Sequence, residues 1–330
     1  MIQVGLIGAG RIGKVHAISV GGHPEARLKY VSDVYAPAAE ELAAAYGASV
    51  ASVDQIMDDP EIDLVMICSS TQTHAELIER SAKAGKAIFC EKPIDLSVER
   101  VKAVLEVVRA TKANLMVGFN RRFDPNFMAL KEKLDSGEAG AVELVTISSR
   151  DPGAPPLDYI KGSGGLFRDM TIHDFDMARW LLNEEPEQVI AVASTLTDPE
   201  IGTAGDVDTA AITLRCPSGR IAVITNSRRA TYGYDQRIEV HGSGGMLSAG
   251  NVVENTVSVA NTDGVTGAKP MFFFLERYAQ AYRNEFALLL EALKTGEALQ
   301  PDGDDGLRSL KLADAAVESL RNGGTAVTVG

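Results

Sequence analysis

In the run Arg168-Asp169-Met170-Thr171-Ile172-His173-Asp174-Phe175-Asp176, a carboxylate and an imidazole stand four residues apart. On a helix such positions share one face, with Asp176 a turn further along. A histidine whose tautomer is held by a neighbouring acid can serve as a general base. The same spacing also fits a half-buried histidine bonded to Asp169 or Asp176 for structural reasons, and Asp169 alone fits a helix cap or a solvated acid. A second reactive candidate is the lysine of Glu91-Lys92-Pro93, just past the apolar run 87–90. Ligands of open α/β sheets bind at the carboxyl ends of the strands, where a lysine can hydrogen-bond a reacting hydroxyl and stabilise developing alkoxide charge. Spacing alone leaves open a surface lysine before a proline turn. Arg121 and Arg122 follow the last candidate strand of the first half and could donate to substrate hydroxyls, although one of a basic pair is usually solvated.

The third constellation gives these groups something to work against. Gly8-Ala9-Gly10-Arg11-Ile12-Gly13 follows a strand-like run and opens a helix-like one. In that context Gly8 permits a tight turn, Gly10 lets backbone amides approach a pyrophosphate, and Gly13 allows close helix–strand packing, with the phosphates at the helix N-terminus. Asp33 comes twenty residues after Gly13 (33 minus 13), at the end of the second candidate strand. A carboxylate there can accept hydrogen bonds from ribose hydroxyls and repel a 2′-phosphate, which favours NAD over NADP, although Arg11 in the loop could meet a phosphate. Glycine loop, lysine and histidine together point to dehydrogenation of an alcohol.

Positioning such groups requires two kinds of sheet. Over residues 2–118, strand-like runs at 4–7, 28–31, 64–68, 87–90 and 115–117 alternate with helical patterns at 12–20, 38–46, 74–84 and 98–111. This alternation predicts a doubly wound parallel sheet, a Rossmann α/β domain. After Gly118 the runs 142–148, 188–194, 209–214, 221–225 and 237–240 are rich in Val, Ile and Thr and suit an antiparallel sheet. Helical patterns at 125–134, 169–182, 273–293 and 305–320 accompany them, so the second domain reads as α+β with a large, mostly antiparallel open sheet. The expected division is 1–120 for the NAD-binding domain and 121–330 for the substrate-binding and oligomerisation domain. Residues 151–156 form the most loop-like stretch.

At 330 residues the chain exceeds the usual size of a single core, and 45% hydrophobic with 23% charged residues is the composition of a folded soluble protein. No apolar run is long enough to cross a bilayer, and no basic leader precedes the first strand, so a cytoplasmic protein is expected. A net charge of -13 with only short basic clusters argues against nucleic acid as a partner. Cys68, Cys90 and Cys216 show no zinc spacing, and the five histidines are scattered, so no metal is expected.

Four segments occur in a telling order: Gly8-Ala9-Gly10-Arg11-Ile12-Gly13, Ala87-Ile88-Phe89-Cys90-Glu91-Lys92-Pro93, Gly118-Phe119-Asn120-Arg121-Arg122-Phe123-Asp124 and Asp169 to Asp176. Together they resemble the glucose-fructose oxidoreductase, inositol dehydrogenase and rhizopine catabolism (Gfo/Idh/MocA) family, over nearly the whole chain. Ser149-Arg150-Asp151-Pro152, Ser163 to Asp169, and Ala230-Thr231-Tyr232-Gly233-Tyr234-Asp235 are most similar to the branch that oxidises inositols. The resemblance implies NAD-dependent oxidation of myo-inositol to its 2-keto product, with scyllo-inositol, another inositol isomer or an aldose as alternative substrates. It implies Lys92 as the contact to the reacting hydroxyl, His173 as general base and Asp169 as the carboxylate beside it. Arg121, Asp151, Asp176 and Tyr234 fall where relatives place substrate-contacting groups. Some relatives carry Asn at the position of Asp151, an exchange that alters hydrogen bonding to a ring hydroxyl. Expected cofactor contacts are Gly8, Gly10, Arg11, Ile12, Gly13, Asp33, Ser69, Ser70, His74, Glu91 and Lys92. A homotetramer built on the open face of the second sheet is also implied. A non-catalytic dinucleotide sensor is the remaining alternative, although its expected mark, loss of Lys92, Asp169 or His173, is missing.

Overall fold

The computed structural model describes residues Met1–Gly330. Its first part runs β1 (Ile2–Ile7), α1 (Arg11–Gly21), β2 (Ala26–Ser32), α2 (Ala36–Tyr46), β3 (Ser49–Val50), α3 (Val53–Asp58), β4 (Leu64–Ile67), α4 (Thr71–Lys83), β5 (Ala87–Cys90), α5 (Val98–Thr111) and β6 (Leu115–Val117). The strands form one sheet in the order β3-β2-β1-β4-β5-β6, with every neighbouring pair parallel. A parallel sheet covered on both faces needs apolar residues at consecutive positions, and all four residues of β4, Leu64 to Ile67, are buried. Local chemistry sets the helix ends. Ser52 and Gln55 form a capping box at the start of α3, the Ser97 side chain caps α5, and Gly47 at φ +63° closes α2.

A 3₁₀ turn (Asn120–Phe123) leads to α6 (Pro125–Asp135), whose first amides are accepted by Asp124. There follow β7 (Val142–Arg150), α7 (Leu157–Ser163), α8 (Leu166–Asp169), α9 (Thr171–Leu182), β8 (Gln188–Ser194), α10 (Pro199–Thr203), β9 (Thr209–Arg215), β10 (Ile221–Ser227), β11 (Asp235–Gly242) and β12 (Gly245–Ala249). The hairpin β13 (Ser258–Asn261) and β14 (Gly264–Gly267), then α11 (Phe274–Arg277), α12 (Ala279–Thr295), α13 (Gly303–Arg321) and β15 (Val327–Thr328), complete the chain. Seven strands pair in the order β12-β11-β7-β10-β9-β8-β15, antiparallel except for β7 beside β10. Burial alternates along β9, β10 and β11, so one face of this sheet is packed and the other is open. α9 packs against β7 and β10.

Two helices expected to be continuous are broken. The pattern over 169–182 divides at Met170 (φ −95°, ψ −57°), after which the His173 amide bonds back three residues to the Met170 carbonyl. Here the Thr171 hydroxyl competes with helix propagation, donating to the Leu166 carbonyl and to Asn226 Oδ1 at 3.3 and 2.7 Å. The pattern over 273–293 divides at Tyr278 into α11 and α12.

By internal packing the chain forms two units, Met1–Phe123 with Ala281–Leu310, and Asp124–Gln280 with Lys311–Gly330. Residues 281–310 lie beyond a contiguous split at residue 120, yet Phe286, Leu289, Leu290 and Leu299 share a core with Val4, Leu6, Leu64 and Phe89. No helix is long and apolar enough to cross a membrane, and no three His, Cys, Asp or Glu side chains gather as metal ligands would.

Candidate active site

In the first unit the expected cofactor residues lie at the carboxyl ends of β1, β2, β4 and β5. Gly8, directly after β1, has φ +103°, and a Cβ there would come within 2.5 Å of the Cys68 carbonyl and the Ser69 amide nitrogen. A Cβ on Gly13 would stand 1.9 Å from the Gly8 oxygen. Both clashes are with backbone, so only glycine fits. Gly10 differs: it precedes α1 with an ordinary φ of −71°, and no atom lies within 4 Å of where its Cβ would stand. No side chain caps α1, so its first amides and this open approach fit a pyrophosphate. Arg11 is exposed and Ile12 half-buried. Asp33, half-buried just past β2, accepts the Ala9 amide on Oδ2 at 2.6 Å and the Tyr35 amide on Oδ1 at 2.8 Å.

Past β4, the Ser69 hydroxyl meets Thr73 Oγ1 at 2.6 Å, and Ser70 stands exposed before α4. His74 is buried, with Nδ1 2.8 Å from the Pro93 carbonyl and Nε2 3.1 Å from the Ser69 carbonyl, and so ties the β4 and β5 loops together. Burial pushes its pKa down, against the pull of the two carbonyls. Lys92 is half-buried, with its backbone N–H donating to Glu91 Oε2 at 3.3 Å. Glu91, expected among the cofactor contacts, is buried and bonds to His16 Nε2 at 2.7 Å. The His16 ring packs edge-on against Phe89 and Tyr282. Of the arginine pair, Arg122 is ion-paired with Asp305 at 3.1 Å, while Arg121 is buried in the 3₁₀ turn.

In the second unit the topology gathers a polar edge. Strands β7 and β10 run parallel, so their carboxyl ends share one edge of the sheet, and antiparallel β11 begins there, with Asp235 opposite Arg150. Asp151 follows β7, with its amide on the Ser227 carbonyl at 2.9 Å, and Tyr234 precedes β11, its ring edge-on to Tyr278. Asn226, near the end of β10, brings α9 to the same edge by accepting from Thr171 and donating to Asp174 Oδ2 at 2.8 Å. Asp169 and His173 are half-buried there. The Asp169 carboxylate accepts from the Tyr159 hydroxyl at 2.9 Å and from both terminal nitrogens of Arg228, at 3.4 and 3.3 Å. Asp176 lies in the core, 1% exposed and 3.5 Å from Arg179. Tyr159, Asn226 and Arg228 escaped sequence reasoning. Tyr159 is a lone aromatic in the short helix α7, and Asn226 near the end of β10 and Arg228 just past it belong to a strand whose pairing no local pattern reveals.

Comparison with known proteins places this geometry in a lineage. Residues 2–119 match the family described as "Oxidoreductase family, NAD-binding Rossmann fold", and residues 127–248 match the "GFO/IDH/MocA C-terminal domain". The inositol 2-dehydrogenase of Rhizobium meliloti is 58% identical over 319 residues, 97% of each chain. The chain belongs to the Gfo/Idh/MocA family. It is an NAD-binding oxidoreductase, as the glycine loop and Asp33 led us to expect. Among solved members of the Gfo/Idh/MocA family, a myo-inositol dehydrogenase from Corynebacterium glutamicum superposes with a TM-score of 0.96 at 42% identity, covering 100% of this chain and 99% of its own. The myo-inositol dehydrogenase of Lactobacillus casei, solved with NAD(H) and myo-inositol, gives 0.89 at 26% identity, covering 100% and 97%.

Proposed function

We propose that this protein oxidises myo-inositol to 2-keto-myo-inositol. What supports this reading is the edge of the second sheet, where Asp151 follows β7 and Tyr234 precedes β11, and to which Asn226 ties the start of α9, the helix of His173. These groups suit the several hydroxyls of a cyclic polyol, in a relative of enzymes named for that substrate. When bound, NAD supplies a nicotinamide ring that accepts a hydride. The first unit's residues would hold it: the Gly8–Gly13 loop receives the pyrophosphate, Asp33 the ribose, and Ser69, Ser70 and His74 shape the wall past β4. His173 accepts the proton of the reacting hydroxyl at an imidazole nitrogen, and Asp169 favours the charged ring that results. Lys92 donates to the hydroxyl oxygen through Nζ and stabilises it as the proton leaves. The carbinol loses one proton and one hydride, and the ring carbon becomes a ketone. Arg121, Asp151 and Tyr234 orient the remaining hydroxyls. Asp176, 3.5 Å from Arg179, is the fourth group of this set.

We further propose a homotetramer using the open face of the second sheet, which presents Ile190, Val192, Ile221 and Met246 to solvent. Large apolar side chains spread over one sheet face suit association.

Initial rates of NADH formation across a panel of inositols and aldoses test the substrate, with turnover of myo-inositol expected. Oxidation of scyllo-inositol without myo-inositol would overturn it. His173→Ala should abolish turnover while NAD still binds, and near-normal activity in that variant would remove His173 as the base.

A further inference from the structure

Arg228 is 1% exposed, directly after β10, with its backbone N–H on the Asp208 carbonyl at 2.8 Å. A guanidinium does not lose its proton in a protein, so burying one demands anions nearby. Two converge on it: both terminal nitrogens reach Asp169 Oδ2, and Asp206 Oδ2 lies 3.9 Å from Nη2. The other Asp169 oxygen accepts from Tyr159, so each oxygen of this carboxylate has its own donor. Asp206 is fixed in turn, since its Oδ1 accepts the Leu166 amide at 3.0 Å, and Leu166 opens the helix that Asp169 ends. A helix of four residues has no stability of its own. Both ends of α8 are therefore held from Arg228, directly at Asp169 and through Asp206 at Leu166.

A buried ion pair adds little net stability over apolar packing of the same volume, but it does fix geometry and charge. We infer that Arg228 is a positioning residue for the reaction, holding the Asp169 carboxylate in one orientation, four residues before His173. This inference rests on the reading of Asp169 as the reaction's carboxylate.

Arg228→Gln and Arg228→Lys, each made in the wild-type and the Asp169→Asn background, test it by initial rates on myo-inositol, NAD titration and thermal melting. Arg228→Gln should lower kcat about tenfold or more, as loss of a partner behind a working group does. Its Kd for NAD should stay within about twofold. The lysine variant, which keeps the charge without the planar fork, should recover part of the rate and carries the test if the glutamine variant does not fold. In the Asp169→Asn background either substitution should change kcat by less than about twofold, because the two act as one unit. An equal loss of kcat in both backgrounds would overturn the inference, as would full kcat with only a lowered melting point. Wild-type turnover by Asp169→Asn alone would instead remove the underlying reading, and Arg228's role with it.

Discussion

Asp33 Oδ2 accepts the backbone N–H of Ala9 at 2.6 Å, so the carboxylate expected at the ribose also fastens the glycine loop. Its other oxygen takes the Tyr35 amide at 2.8 Å. The turn after β1 and the turn after β2 thus form one hydrogen-bonded piece, with Asp33 held in a single orientation. Each carboxylate oxygen has further lone pairs for a ligand.

The double role makes Asp33→Asn informative. Asparagine keeps one acceptor and loses the charge, so one of the two amides is left unmatched at a cost of about 1 kcal/mol. Hydrogen bonds to a charged acceptor contribute about 1.5–3 kcal/mol, so the preference for NAD over NADP in kcat/KM should fall about tenfold or more. Paired kinetics with the two cofactors, beside a thermal melt, check this. A lower melting point with unchanged cofactor preference would make Asp33 a brace only.

Gly10 and Gly13 should fail in different ways. A methyl group on Gly13 would collide with the Gly8 carbonyl at 1.9 Å, and backbone on both sides cannot yield. Gly13→Ala should therefore cost stability, about 1–3 kcal/mol or more, along with NAD binding. On Gly10 the methyl meets no protein atom and the backbone is unstrained, so Gly10→Ala should melt near the wild-type temperature while binding NAD more weakly. Calorimetric titration of NAD into each variant separates the two effects. Normal NAD binding by Gly10→Ala would show that the cofactor does not approach there.

These contrasts indicate what a single sequence can reveal. Long apolar runs with a fixed period announced the two sheets, and the observed β5, β6 and α5 coincide with their expected ranges. Short or polar elements had no such signal: β3 is two residues long, and β13 and β14 are exposed at every position. The glycine loop was legible because its chemistry is local. Glu91 stands just past β5 as expected, but its bond to His16 was not legible, because His16 lies 75 residues away on another element. Asp176 shares helical spacing with His173, yet spacing does not reveal that α9 is buried on nearly all sides, Asp176 included. Spacing fixes which residues share a face, while packing decides which face sees solvent.

Asp235 should make the second unit acid-sensitive. It is fully buried, and although burial raises its pKa, bonds from Arg237, Tyr232, Asn251 and Arg150 outweigh that and hold it well below the usual carboxylate range. A group whose folded pKa is depressed contributes stability above its unfolded pKa, about 3.9, and loses it as the pH falls from there toward the folded value. Asp235→Asn should cost about 3 kcal/mol at neutral pH, because two guanidinium groups lose their shared anion. Urea midpoints for wild type and variant should then converge as the pH drops below about 4. A constant gap between them would show that the network does not depend on Asp235's charge.

Glu285 has the opposite sign. It lies in α12 within the first unit, 1% exposed, and neither carboxyl oxygen has a hydrogen-bond partner. Burial, and then the nearby Glu91 carboxylate, push its pKa well above the usual range. A raised folded pKa means that stability is full below the unfolded value, about 4.3, and is lost as the pH climbs toward the folded one. The loss is at most about 1.4 kcal/mol per pH unit across that window. Glu285→Gln keeps the shape of the protonated acid and cannot ionise, so its melting point should match wild type near pH 4 and exceed it increasingly as the pH rises from there toward the folded pKa. Melting curves that stay parallel from acid to alkali would mean that Glu285 carries its charge in the folded protein, with Glu91 and His16 rearranged to accommodate it.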